Sequence, residues 1–165
     1  MTPPDPDWEK RLADLWAAFD TTAPVDFLAQ MQGLINELPS EHPVGMFELA
    51  GTFDSLGQEA QAEPLYRRAL AEGLPGDRRR RAVIQLASTI RNLGRPEESA
   101  DLLAHEWKAV NDDLDDAVVA FLSLALVDLG REREAAALAL AALARHLPRY
   151  NKSLGYYAKE ISSRT

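Results

Sequence analysis

The sequence predicts an all-α protein, an α-solenoid of antiparallel helix pairs with about eight to nine helices in total. Leu-Gly occurs at 56–57, 93–94 and 129–130, so the glycines are 37 and 36 residues apart. A fixed interval in this range is typical of stacked helical repeats. Ala and Leu dominate the composition and favour helix, whereas β-branched and aromatic residues are too scattered for a sheet.

The segment before the first Leu-Gly turn predicts an antiparallel helix pair without that turn. Apolar residues recur at helical spacing from Trp8 to Phe19 and again from Phe27 to Leu38. Residues 1–7, which hold three prolines, are expected to form a short flexible lead. Thr21 or Thr22 is expected to cap the second helix.

Each Leu-Gly turn is expected to end one helix and begin its partner, because glycine readily adopts the left-handed conformation that follows a helix. Before each glycine, apolar and small residues line one helical face. The predicted segments are an N-terminal degenerate pair at 1–42, repeats at 43–75, 76–111 and 112–148, and a C-terminal capping helix at 149–165, all in one structural domain.

The composition excludes several classes of function. With no cysteine, the chain has neither disulfides nor thiolate metal sites. The net charge of −8 argues against nucleic acid as the main partner. The N-terminal sequence resembles no secretory signal, and the apolar stretches 117–127 and 135–144 are too short to span a membrane, so we expect a cytoplasmic protein without membrane contact.

The repeat pattern resembles the tetratricopeptide repeat. In that family, a Leu followed by a small residue marks the first helix, a Gly closes it, and a small residue, a bulky residue and a small-Leu pair mark the second helix. A Pro ends the unit. The matching residues are Leu49-Ala50, Leu86-Ala87 and Leu122-Ser123, then Gly57, Gly94 and Gly130, then Ala62, Tyr66 and Ala69-Leu70, and finally Pro75 and Pro148. The chain is also similar to a small stand-alone bacterial group within that superfamily, which is largely uncharacterised.

The resemblance implies a right-handed superhelix whose first helices line a concave groove for a peptide or helix of a partner protein. The groove positions it implies are Phe47, Gly51, Asp54, Arg81, Ile84, Ser88, Arg91, Asn92, Ala120, Leu124, Val127 and Asp128. Members that grip a terminal carboxylate use Lys, Asn and Arg at such places. Apolar residues and Gly replace most of these here, although Arg91 with Asn92 could hold one anion.

No residue pattern indicates catalysis, a cofactor or a metal. His42, His105 and His146 lie in different predicted units, and each is expected at a surface or a helix end. The Asp-rich segment 112–116 is interpreted as an acidic first turn with a cap, since it lacks the Gly and downstream Glu of a calcium loop. We therefore predict a non-enzymatic protein.

Two features suggest how a partner is recognised. The run Arg78–Arg81 is expected just before a helix, either as solvated charges paired with acidic neighbours or as a patch for an anionic partner. The first helix of the third repeat has almost no polar face. Either the C-terminal helix covers it, or Ala120, Leu124 and Val127 form an exposed apolar patch.

These observations predict an interaction module, a scaffold or adaptor that binds a peptide or helix of another protein in its groove. The alternative is a homo-oligomeric structural protein, such as a homodimer, that associates through the apolar face of the third repeat. The sequence does not identify the partner.

Overall fold

The computed structural model describes residues 3–110 and 112–163, and these ranges contain nine α-helices and one 3₁₀ turn at Phe19–Thr21. The all-α helical-repeat fold is therefore confirmed. The predicted boundary at residue 111, and the outermost residues of the first and last predicted segments, lie outside the described ranges. The helices are α1 Pro6–Ala17, α2 Pro24–Ile35, α3 Pro43–Ser55, α4 Glu59–Ala71, α5 Asp77–Asn92, α6 Pro96–Ala109, α7 Asp115–Asp128, α8 Glu132–His146 and α9 Asn151–Ser163.

The three Leu-Gly turns have the same backbone geometry. Gly57, Gly94 and Gly130 have φ angles of +69°, +82° and +70°. In each turn, the residue after the glycine donates a backbone hydrogen bond to a carbonyl five residues earlier in the chain. The donor and acceptor pairs are Gln58 to Phe53, Arg95 to Ile90 and Arg131 to Leu126, at N···O distances of 2.8, 3.2 and 2.8 Å. This bond satisfies a carbonyl that the end of the helix would leave unpaired.

Replacing Gly94 by Ala is expected to lower the free energy of unfolding by about 1 kcal/mol, because a residue with a Cβ is strained at positive φ. No atom lies within 4 Å of the Cβ that would be added, so the cost belongs to the backbone alone. Gly155→Ala is the matched control, since Gly155 has equally open space but lies inside α9. Alanine should slightly stabilise that helix. Urea unfolding followed by circular dichroism measures both changes in the free energy of unfolding. If the two substitutions changed it in the same direction, this explanation would be contradicted.

The described residues divide into two compact units, and the division falls within α5. The first unit extends to Ala82 and contains α1 to α4 with the start of α5. In it, Trp8 at the start of α1 donates from Nε1 to the carbonyl of Leu34 at the end of α2, at 2.8 Å. Trp16 at the end of α1 lies near Phe27 at the start of α2, with ring centroids 5.2 Å apart, so the two helices run antiparallel.

The N-terminal boundaries differ from the sequence prediction in two details. Helix α1 already begins at Pro6, because the Asp5 side chain accepts a hydrogen bond from the Trp8 amide and caps the first turn. Ala23 precedes α2 and provides no side-chain cap, while the Thr22 hydroxyl donates to the carbonyl of Ala18 instead. Pro24 at the first position of α2 reduces the need for a cap, because it has no amide hydrogen to satisfy.

The second unit begins at Val83, and its consecutive helices α6, α7, α8 and α9 each pack on the next. Helix α7 contributes four residues to the buried core of this unit, more than any other of its helices. The buried residues of this core are Ile84, Ala87, Ala100, Leu103, Val118, Leu122, Ala125, Leu126 and Ala135. Within the described ranges, no helix is both long and apolar enough to cross a lipid bilayer.

Candidate functional site

The predicted groove positions of the first unit are mostly covered. Phe47 and Gly51 are buried in α3, and the Trp16 ring lies 3.5 Å from the place that a Cβ on Gly51 would occupy. Asp54 is half-buried and accepts a hydrogen bond from the Tyr66 hydroxyl at 3.4 Å. Phe47 and Gly51 therefore serve packing and present no side chain to a partner.

Arg81 is the exposed residue among the groove positions predicted in the first unit. Its guanidinium carbon lies 5.4 Å from the centre of the Phe47 ring. A cation over an aromatic face is attracted by the electron density of the ring. This contact holds the Arg81 side chain over α3 while leaving it accessible.

A partly buried ion-pair cluster, formed by Glu9, Glu48 and Arg78, joins α1, α3 and α5 in the first unit. Arg78 donates two hydrogen bonds to Glu9, at 2.9 and 2.6 Å, and a third to Glu48 Oε1 at 3.1 Å. The Trp16 indole donates to Glu48 Oε2 at 2.9 Å. Burial raises the pKa of Glu48, although the Trp16 and Arg78 contacts act in the opposite direction.

The arginine run lies inside a helix and not just before one, and its four residues have different surroundings. Its four residues lie inside the first turns of α5, and Asp77 precedes them in the same helix. Arg78 is engaged in the ion-pair cluster and Arg80 is buried, whereas Arg79 and Arg81 are exposed. The run is therefore not a uniform patch of four solvated cations.

In the second unit, Arg91 and Asp128 tie the end of α5 to the end of α7. Arg91 Nε lies 2.6 Å from Asp128 Oδ2, and its terminal nitrogen donates to Oδ1 at 3.2 Å. The Arg91 guanidinium, which the sequence suggested as a site for an anion, therefore already pairs with a carboxylate of this chain. Asn92 beside it is exposed, and Ser88 is half-buried.

The apolar face of α7 remains accessible. Ala120, Leu124 and Val127 are spaced by four and three residues and share one side of the helix. Leu124 and Val127 are 45% and 48% exposed. Helix α9 packs against α8, and this packing leaves the stripe on α7 open. Ile84, in contrast, is buried in the core of the second unit.

Two of the three histidines and the Asp-rich segment have structural contacts, and the third, His105, is exposed on α6. His42 is buried at the start of α3, where its Nδ1 accepts from the Val44 amide at 3.3 Å. His146 and Arg145 at the end of α8 both contact Asp116. Asp115 and Asp116 lie in the first turn of α7, as predicted, but the predicted cap is wrong: Leu114 precedes the helix and provides no side-chain cap, while the Asp112 carboxylate accepts from the Leu114 amide at 2.8 Å. No group of three or more His, Asp or Glu side chains in the described residues could hold a metal ion.

Comparison with known families identifies the repeat. A family model described as Tetratrico peptide repeat matches residues 43–161, from the start of α3 into the last turn of α9. The chain belongs to the tetratricopeptide repeat family. No curated protein matches it significantly, and no solved structure does so either.

Tetratricopeptide repeats generally mediate protein–protein interactions. In this tetratricopeptide repeat protein, α1 and α2 lie before the matched region, yet α1 supplies Trp16, which contacts Glu48 of α3, and Glu9, which contacts Arg78 of α5. Sequence reasoning missed this role. Glu9 and Arg78 are 69 residues apart, and no local spacing connects them.

Proposed function

We propose that the protein is a non-enzymatic interaction module, a cytoplasmic scaffold or adaptor that binds a peptide or helix of another protein. The observation that carries this proposal is the apolar stripe on α7, formed by Ala120, Leu124 and Val127. Apolar side chains that remain half exposed gain free energy when a partner removes them from water. Their spacing along one helical face suits a partner segment that lies along α7.

The rim of the stripe supports the same proposal. Arg91 and Asp128 neutralise each other next to Val127, so the stripe ends at a polar border without net charge. Asn92 adds an exposed amide that can donate and accept hydrogen bonds. An apolar centre with a polar rim is typical of protein interfaces. Of the residues that the resemblance implied, Ser88, Arg91, Asn92, Ala120, Leu124, Val127 and Asp128 form this proposed surface.

A second candidate function uses the same stripe. Two copies of the chain could bury Leu124 and Val127 against each other and form a homo-oligomer. Sedimentation velocity distinguishes the two functions, because a protein that stays monomeric at high concentration does not use the stripe for self-association.

Leu124→Glu is expected to abolish partner binding while the protein stays folded. A charge on a half-exposed position is solvated in the free protein but desolvated in a complex. The unfolding free energy should change by less than about 1 kcal/mol, and the captured partner should fall at least about tenfold, which corresponds to 1.4 kcal/mol. Capture from the native host followed by quantitative mass spectrometry measures this loss.

The matched control is Leu143→Glu, because Leu143 is 49% exposed and lies on α8. It introduces the same charge at the same exposure but outside the stripe. Equal capture by wild type and Leu124→Glu would reject the α7 surface. A partner lost equally from both variants would show that binding depends on overall charge.

A further inference from the structure

A cleft of about 510 Å³ lies between α8 and α9 in the second unit. Its apolar lining includes Ala141 and Ala144 from α8 and Gly155 and Tyr156 from α9. Ala141, Ala144 and Gly155 have small side chains or none, so the backbone of an incoming helix can approach closely. Tyr156 is exposed, and its ring lies edge-on to that of Tyr157 at a centroid distance of 5.7 Å.

The rim of this cleft is cationic. Arg145, Lys152 and Lys159 all line it. Arg145 is engaged by Asp116, but in the described part of the chain the ammonium groups of Lys152 and Lys159 have no ion-pair partner. Residues 141–163 contain four Lys and Arg residues against the single carboxylate of Glu160, in a chain whose net charge is −8. The positive rim is therefore a local feature that opposes the overall charge.

The helix order explains why this cleft is open. In an array of helix pairs, each second helix packs on its own first helix and on the preceding unit. Helix α9 follows α8 as the first helix of a further pair would, and among the described residues no helix fills the place beside α8 and α9 where a second one would pack.

We propose that the α8–α9 cleft is a second docking site, separate from the α7 stripe, and that it takes an acidic amphipathic helix of another protein. The apolar face of that helix packs on Ala141, Gly155 and Tyr156, in the place that the second helix of a further pair would take. Lys152 and Lys159 are seven residues apart, which is about 10 Å along α9. Two carboxylates separated by two helical turns on the partner match this distance.

The probe is a stapled helical peptide of about 16 residues, long enough to cover α9. It carries a Leu stripe flanked by Glu residues seven apart, and a second peptide has Lys in place of Glu. Fluorescence anisotropy measures the dissociation constants. The Glu peptide is expected to bind at least about tenfold more tightly than the Lys peptide, and its affinity should fall between about 50 and 300 mM NaCl, since salt screens the lysines. Equal binding of the two peptides, or binding of neither, overturns the proposal.

Two variants locate the site. Gly155→Leu places a side chain in the cleft, and no atom lies within 4 Å of the added Cβ. It should keep or raise the thermal midpoint of the protein, since Leu is a better helix former than Gly. It should nevertheless weaken the binding of the Glu peptide at least about tenfold. Gly33→Leu is its control, because Gly33 lies in α2 with equally open space. Undiminished binding by Gly155→Leu overturns the proposal.

The second variant is Lys152→Glu with Lys159→Glu, which should abolish the preference for the Glu peptide. Its control, Lys10→Glu with Lys108→Glu, makes the same change of charge outside the cleft and should keep the preference. If both double variants lose it equally, overall charge explains the binding and the cleft does not. Sedimentation of the protein alone tests for a second copy, because self-association that Gly155→Leu abolishes would assign the cleft to the chain itself and overturn the proposal.

Discussion

Replacing Trp8 by Ala is expected to destabilise the protein by about 3–5 kcal/mol, the range for removing a large buried aromatic side chain. Trp8 is 2% exposed and is one of the largest buried side chains in the described residues. Two losses add to each other: the substitution leaves a cavity between α1 and α2, and it removes the indole that donates to the Leu34 carbonyl. Urea unfolding followed by circular dichroism measures the change.

Trp107→Ala is the matched control, because Trp107 is 39% exposed on α6. The same atoms are removed, but much of the Trp107 ring is already in water. Its cost should therefore be at most about half that of Trp8→Ala. Comparable losses at the two positions would mean that burial does not determine the effect and would contradict the role assigned to Trp8.

Replacing Glu48 by Ala is expected to lower the free energy of unfolding by about 3 kcal/mol, because removing one partner of a buried ion pair leaves the other partner uncompensated. Glu48 is 3% exposed and accepts hydrogen bonds from both Arg78 and Trp16. We expect the low end of the usual range, since Arg78 retains its two hydrogen bonds to Glu9. Glu9→Ala should cost less, because the Glu9 side chain is 35% exposed.

The pH dependence of Glu48 can be separated from that of the other carboxyl groups by comparing wild type with Glu48→Gln. Burial raises the pKa of Glu48 above its ordinary value. A raised folded-state pKa stabilises the fold most below the pKa of the unfolded chain, and this contribution is lost as the pH rises through the folded value. The stability of wild type relative to Glu48→Gln should therefore fall as the pH rises above the ordinary range of a glutamate, about pH 4. A rise over the same range would show that Arg78 and Trp16 outweigh burial.

Residues at equivalent repeat positions differ in their exposure, and the repeat pattern does not predict this difference. Gly51 and Leu124 occupy the same place in the first and third repeats. The Trp16 ring covers Gly51, whereas Leu124 is half exposed. Ile84 and Ala120 are likewise equivalent, yet Ile84 is buried in the core and Ala120 is exposed. A repeat pattern predicts which residues lie on the same side of a helix, but not which neighbouring helix packs against that side.

The arginine run shows the same limit for charges. Four consecutive arginines appear uniform in the sequence, but successive residues of a helix point about 100° apart and so meet different surroundings. Arg78 meets Glu9 and Glu48, Arg80 is buried, and Arg81 lies over Phe47. Only the packed helices determine which of these side chains remain available.

The sequence by itself determined the helical class, the three Leu-Gly turns and the family, because these depend on periodicity and on the backbone freedom of glycine, which are local properties. The tertiary structure decided which predicted groove residues are accessible, that Arg78 pairs with Glu9 and Glu48, and that a basic cleft opens between α8 and α9. These features depend on contacts between residues far apart in the chain, such as Glu9 with Arg78, and no local spacing encodes such contacts.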